Sequence, residues 1–121
     1  MPARALEAAM RRPLAAIKAD LFRALAHPAR IRVLEILAGG ECSVGELQPQ
    51  VGIEASHLSQ QLGVLRRAGL VTTRKEATSV IYAIRDPEVV RLLDAAKRVL
   101  INSLSESQEL LAELQVAAEP T

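Results

Sequence analysis

The sequence predicts a mostly α-helical chain with one two-stranded β-hairpin, and three observations carry that prediction. Hydrophobic residues make up 50% of the 121 residues while aromatic residues make up 2%. Phe22 and Tyr82 are the only large aromatic side chains, so the apolar set is aliphatic and suits packed helices over an aromatic-rich sandwich. Leu, Ile and Val recur at three- and four-residue steps along most of the chain. From Val71 to Ile84 the pattern changes to that of strands. With 24% charged residues there is enough apolar surface to offset chain entropy, and the length is that of one ordinary domain.

Taken in order, Leu14, Ile17, Leu21 and Leu25 form an apolar stripe of helical period, and Pro13 separates this helix, residues 14–26, from a short leading one. A second helix starts at Pro28, with His27 in the capping position, and runs through Ile31, Leu34 and Leu37 to a stop at Gly39-Gly40. Ser43-Val44-Gly45-Glu46 has the spacing of a capping box, which starts a short helix. Pro49 cannot donate to the helical ladder, so this helix is expected to bend or finish by Gln48, before a turn at Gly52. Leu58, Leu62 and Leu65 then repeat at i, i+4 and i+7 over residues 55–68, and Gly69 stands where a helix exits in a left-handed conformation. Strand patterns at 71–74 and 80–84 flank a polar tip, Lys75 to Ser79. Asp86 and Pro87 start the last helix, and Val89, Leu92, Leu93, Ala96, Val99, Leu100 and Leu104 carry its stripe for about five turns. Residues 1–121 read as a single domain in which 1–12 and 105–121 are terminal extensions able to continue the helical pattern.

Several function classes fall away. One cysteine, Cys42, makes neither an intrachain disulfide nor a multi-thiolate site, and no stretch approaches the roughly 20 apolar residues of a spanning helix. The expected location is therefore cytoplasmic, with no membrane partner. No nucleophile elbow, Gly-rich phosphate loop or metal-ligand motif is present, so neither an enzyme, a cofactor nor a metal is expected. Few rings argue against RNA recognition by base stacking.

Charge is more informative when split along the chain. The net charge is +1, yet residues 101–121 hold Glu106, Glu109, Glu113 and Glu119 with no Lys or Arg, leaving +5 on residues 1–100. Within residues 54–75, Arg66, Arg67, Arg74 and Lys75 stand against Glu54 alone. Such a surplus suits a polyanion or a solvated face.

A short helix, a glycine turn, a longer helix and a basic hairpin make the layout of a winged helix-turn-helix. At 100° per residue, Leu58, Leu62 and Leu65 point one way, while Ser56, Gln60, Gly63 and Arg67 point the other, flanked by His57, Ser59, Gln61 and Arg66. That face is polar and free of acids, whereas an ordinary exposed face mixes Glu with Lys or Arg. Glutamine can pair bidentately with adenine, serine can bond base or phosphate, and Gly63 would admit close backbone approach.

Four segments carry a family resemblance: Leu21 to Leu37 (LFRALAHPARIRVLEIL), Ser43 to Leu47 (SVGEL), Ser56 to Val71 (SHLSQQLGVLRRAGLV) and the strand Val80 to Ile84. In this order, over roughly residues 15–100, the chain resembles the ArsR/SmtB family of bacterial winged-helix repressors. The resemblance implies a homodimer on a short inverted repeat of double-stranded DNA, joined through its first and last helices, that represses transcription until an inducer acts. Base reading falls on Ser56, His57, Ser59, Gln60 and Gln61; Gln61 stands where the family often has histidine. The wing tip here is Glu76-Ala77-Thr78-Ser79 in place of the usual Gly and Arg, so wing contacts rest on Arg74 and Lys75. Helix 55–68 would enter the major groove, the helix from Ser43 would brace it across the backbone, and Arg66, Arg67, Arg74 and Lys75 would attract phosphates.

The family's two commonest metal sites are not matched. The thiolate pair falls on Ser43 and Gly45, and the site on the last helix falls on Asp86 with residues near Glu88, Val99 and Asn102. His27 reads as a helix cap and His57 as a DNA contact or a solvated residue. Cys42 precedes the capping box, where a helix N-terminus would lower the pKa of a redox-active thiol; the other reading is a small buried residue at the helix junction. An inducer, small molecule or oxidant, stays open. The stripes on helices 14–26 and 87–104 exceed what one small domain can bury, so Leu14, Ile17, Leu21, Val89, Leu92, Leu93, Ala96, Val99 and Leu100 are the expected dimer seam. The competing reading is a winged-helix adaptor that docks a protein through the Leu-rich last helix without reading DNA.

Overall fold

The structure, a computed structural model, describes Arg4, Glu7 and residues 11–118. The expected leading helix over 1–12 therefore lies largely outside the described residues. The chain groups into two units, Met1–Pro87 and Glu88–Thr121.

In the first unit, helix α1 (Leu14–Leu25) follows Pro13, and α2 (Pro28–Ala38) begins where the His27 Nδ1 accepts the Ala29 N–H at 3.0 Å. Pro28 occupies the first turn of α2, where a missing N–H costs nothing. Helix α3 (Val44–Val51) opens on a complete capping box: Ser43 Oγ accepts from the Glu46 N–H at 3.1 Å, and Glu46 Oε1 accepts from the Ser43 N–H at 3.0 Å. Helix α3 does not finish at Gln48 but continues through Pro49 to Val51. The proline forfeits one ladder bond, to the carbonyl of Gly45, and that residue is exposed to water. Gly52, at φ 76°, closes the helix with its N–H on the Gln48 carbonyl.

Helix α4 (Ala55–Arg67) ends in a Schellman motif. The Gly69 N–H reaches the Arg66 carbonyl, the Leu70 N–H reaches the Leu65 carbonyl, and Gly69 takes φ 75°, which favours glycine. This exit turns the chain directly into the sheet. Strands β2 (Val71–Glu76) and β3 (Ser79–Ile84) pair antiparallel in register from Val71 with Ile84 to Glu76 with Ser79. The hairpin is longer than its sequence pattern and closes on Ala77-Thr78, with Ala77 at φ 54°. It is also not alone. Cys42–Ser43 forms a short strand β1 on the free edge of β3, pairing Cys42 with Tyr82 and Ser43 with Ile81, so the sheet has three strands ordered β1-β3-β2.

The core gathers around α4. Val33 and Leu34 of α2, Leu47 of α3 and Leu58, Leu62 and Leu65 of α4 are fully buried, joined by Leu25, Leu37, Leu70 and Val71. Each buried leucine contributes about 1.5–3 kcal/mol of transfer free energy. Three of them on one side of α4 lock its rotation.

The second unit is α5 (Glu88–Ala118), one helix of 31 residues, so the expected five-turn helix continues through the tail.

Candidate nucleic-acid interface

Because Leu58, Leu62 and Leu65 face the core, the opposite side of α4 is left to solvent. Ser56, His57, Ser59 and Gln60 are all exposed there, within the first two turns. No carboxylate lies among them on the helix. The Gln60 side chain makes no hydrogen bond among the described residues, so both ends of its amide are open to a partner. Arg66 and Arg67 end the same helix, exposed and free of ion pairs among the described residues.

Gln61 departs from expectation. It is only 6% exposed, and its Oε1 accepts from Arg30 Nη1 at 3.1 Å. The amide that was expected to read a base is committed to the interior, so Gln61 leaves the groove-facing set. On the helical wheel it stands about 40° from Leu65, at the border of the apolar stripe, which is the signal that separates it from Gln60. Gly63 is likewise not an open approach. A Cβ placed there would sit 3.2 Å from Arg67 Nη1, so the glycine makes room for the arginine.

The wing also differs. Arg74 binds Glu41 Oε1 through Nη2 and Glu76 Oε2 through Nη1, each at 2.5 Å. The Glu41 carboxylate foremost, then Glu76, holds the guanidinium still more firmly protonated than usual. The three side chains together carry −1, and Arg74 is no free phosphate ligand as expected from sequence. They line, with Ser43, Glu46 and Ser79, a cavity of about 530 Å³. Lys75 remains exposed without an ion pair among the described residues. The Ser43 hydroxyl is committed to the capping box, accepting from the Glu46 N–H and contacting the Glu46 carboxylate.

Cys42 does not have the lowered thiol pKa expected beside a helix N-terminus. Burial, and then the Glu46 carboxylate, push it up, and Sγ donates to the Gly40 carbonyl at 3.6 Å. The strand pairing that half-buries it accounts for the difference.

The fold brings together residues that the sequence kept apart. The rings of His27 and His57 meet edge to face, with centroids 5.7 Å apart. With Arg32, Val51 and Ile53 they line a cavity of about 290 Å³ beside the first turn of α4. Among the described residues no group of three His, Cys, Asp or Glu side chains is placed to hold a metal ion. No helix among them is long and apolar enough to cross a membrane.

The expected dimer seam is exposed in large part. Leu14, Ile17, Val99 and Leu100 are exposed, as is Ala96, and Leu21, Leu92 and Leu93 are half-buried. Val89, at 8% exposure, has little surface to offer a second copy and drops out of that set. Phe22, Ile101, Leu104, Leu110, Leu111, Leu114 and Val116 are large exposed apolar side chains beyond those expected.

Known proteins share this arrangement. A helix-turn-helix domain family matches residues 25–74. The HTH-type transcriptional regulator Rv0081 of Mycobacterium tuberculosis is 48% identical over 110 residues, spanning 90% of this chain and 96% of the relative. Its crystal structure superposes with a TM-score of 0.73 at 52% identity, over 79% of this chain and 97% of that one. The biofilm growth-associated repressor of Agrobacterium fabrum is 49% identical over 77 residues, 64% of this chain and 66% of the relative. The homodimeric winged helix-turn-helix domain of Mb0332 from Mycobacterium bovis, described as a possible ArsR-family regulator, gives a TM-score of 0.69. It is 31% identical over 77% of this chain and 86% of that one. A near full-length relative, a matching helix-turn-helix domain and a winged helix-turn-helix neighbour converge: this chain belongs to the ArsR family of winged helix-turn-helix transcriptional regulators, DNA-binding proteins and not enzymes.

Proposed function

We propose that this chain represses transcription by holding an inverted-repeat DNA operator as a homodimer, with α4 in the major groove. One observation carries the reading: Ser56, His57, Ser59 and Gln60 stand exposed and acid-free on a helix whose other face is pinned by three buried leucines. Rigid presentation of hydrogen-bond donors and acceptors is what reading base edges in the major groove requires. Arg66, Arg67 and Lys75 supply phosphate attraction, whereas Arg74 is neutralised by its glutamates.

Dimerisation rests on α1 and α5. Leu14, Ile17 and Phe22 on α1, and Val99, Leu100 and Leu104 on α5, are apolar surface that a soluble monomer rarely leaves bare. The named homodimeric neighbour and the named repressor among the relatives support the same reading. Two-fold symmetry then places the two α4 helices on half-sites about one DNA turn, roughly 34–36 Å, apart. The raised thiol pKa gives no support to redox induction through Cys42, which is left out of this reading.

Selection of bound sequences from a random duplex pool tests the proposal. An inverted repeat with half-sites one turn apart is expected. Recovery of unrelated sequences would refute it.

A further inference from the structure

Arg30 of α2 carries a guanidinium at the junction of three helices with no carboxylate partner among the described residues. Nη2 donates to the main-chain carbonyl of Arg23, in the last turn of α1, at 3.2 Å. Nη1 donates to Gln61 Oε1, midway along α4, at 3.1 Å. Its Nε is buried and has no partner among the described residues. An aliphatic side chain would fill the same junction without an unneutralised charge or an orphan donor, so packing alone does not explain an arginine here.

What the guanidinium adds is direction. Its planar fork fixes two oxygens relative to one another, tying the end of α1 to a single residue of α4. That residue has an identical neighbour, since Gln60 faces solvent while Gln61 faces inward. About 100° of rotation separates the two on the helix. The buried leucines set which face of α4 is inward, and a contact that grips Gln61 and ignores Gln60 fixes that face against the end of α1.

Resting on the major-groove reading of α4, we infer that Arg30 is a positioning residue for sequence discrimination: it holds Gln61 inward and sets α4 against the end of α1, so that Gln60 meets the duplex. Its effect falls on the preference for one sequence over another. General attraction to DNA, set by exposed cations, is untouched.

The test measures binding of the full chain, by fluorescence anisotropy at one salt concentration, to the duplex recovered from selection and to a scrambled duplex of equal composition. Arg30→Lys keeps the charge but lacks the fork that spans both oxygens. Its affinity for the recovered duplex is expected to fall about tenfold, with less than about a twofold change on the scrambled one. Gln61→Glu keeps an acceptor for Arg30 and is expected to preserve the ratio of the two affinities within about twofold. Were Gln61 itself the base reader, this substitution would collapse the ratio, and that result overturns the inference. So does an Arg30→Lys chain that discriminates as well as the natural one, or that loses both affinities equally. Should Arg30→Lys fail to fold, Gln61→Glu decides alone. A natural chain that does not discriminate between the duplexes would defeat the reading of α4 itself; a discriminating natural chain beside an unchanged Arg30→Lys defeats only the role of Arg30.

Discussion

Two adjacent glutamines should respond to the same truncation in opposite ways. The Gln60 side chain is exposed and makes no hydrogen bond among the described residues, so Gln60→Ala removes no side-chain bond and should leave folding stability within about 0.5 kcal/mol. Its whole effect falls on the complex, where one bidentate base pairing is worth about 1–3 kcal/mol, roughly a 5- to 150-fold loss on the recovered duplex. Gln61→Ala instead strips Arg30 of its side-chain acceptor and leaves a partly buried cation with one carbonyl. That desolvation costs about 1–3 kcal/mol of stability, a fall in Tm of about 4 °C or more for a chain of this size. Thermal melts followed by circular dichroism, with anisotropy titrations on recovered and scrambled duplexes, separate the two outcomes. If Gln60→Ala lowered Tm, or weakened both duplexes equally, the assignment of Gln60 to base reading would be wrong.

Other consequences follow from the same contacts. Replacing both glutamates that hold Arg74, Glu41→Gln with Glu76→Gln, turns the Arg74 cluster from −1 to +1; freeing Arg74 for one phosphate should steepen log Kd against log salt by about 0.9, and an unchanged slope would remove the wing from the interface. Ser43→Ala should cost about 0.5–2 kcal/mol in chemical denaturation through loss of the α3 cap. The Ser43 N–H, and then its hydroxyl contact, hold the Glu46 carboxyl below its ordinary pKa. Its stabilising contribution is therefore full above the ordinary glutamate range and is lost as pH falls through the lowered folded value. Glu46→Gln should flatten that part of the acid limb, and an unaltered limb would contradict the capping box. Leu100→Asp places a charge on a side chain 64% exposed in the single chain, so the fold should survive while the dimer is lost. Sedimentation should then report the 13.1 kDa monomer in place of twice that mass, and a natural chain that already sediments as a monomer would contradict the seam.

How far these features could be read from sequence depends on the range of the interactions behind them. The His27 cap, the Ser43–Glu46 box, the Gly69 exit and the leucine stripe of α4 are local, each written within a few residues, and all form as expected. Strand β1 is two residues long, too short for a periodic signal, and exists because β3 offers an edge. Gln61 turns inward for an arginine 31 positions away, and Arg74 is claimed by Glu41, 33 positions away. No window along the chain contains either pair. The exposed polar face of α4 was legible because it needs only helical period and composition; the same period sets Gln61 at the border of the apolar stripe, but its bond to Arg30 joins residues too far apart in sequence to be read there.

The claim beneath all of this is that the start of α4 meets base edges in the major groove, twice, on one duplex. Guanine N7 lies in that groove, so methylation protection on the recovered duplex reads the contact directly. The account predicts two protected blocks centred about one helical turn apart, both lost with Gln60→Ala and His57→Ala combined. Uniform reactivity along a bound duplex, or protection that the substitutions leave intact, would contradict it.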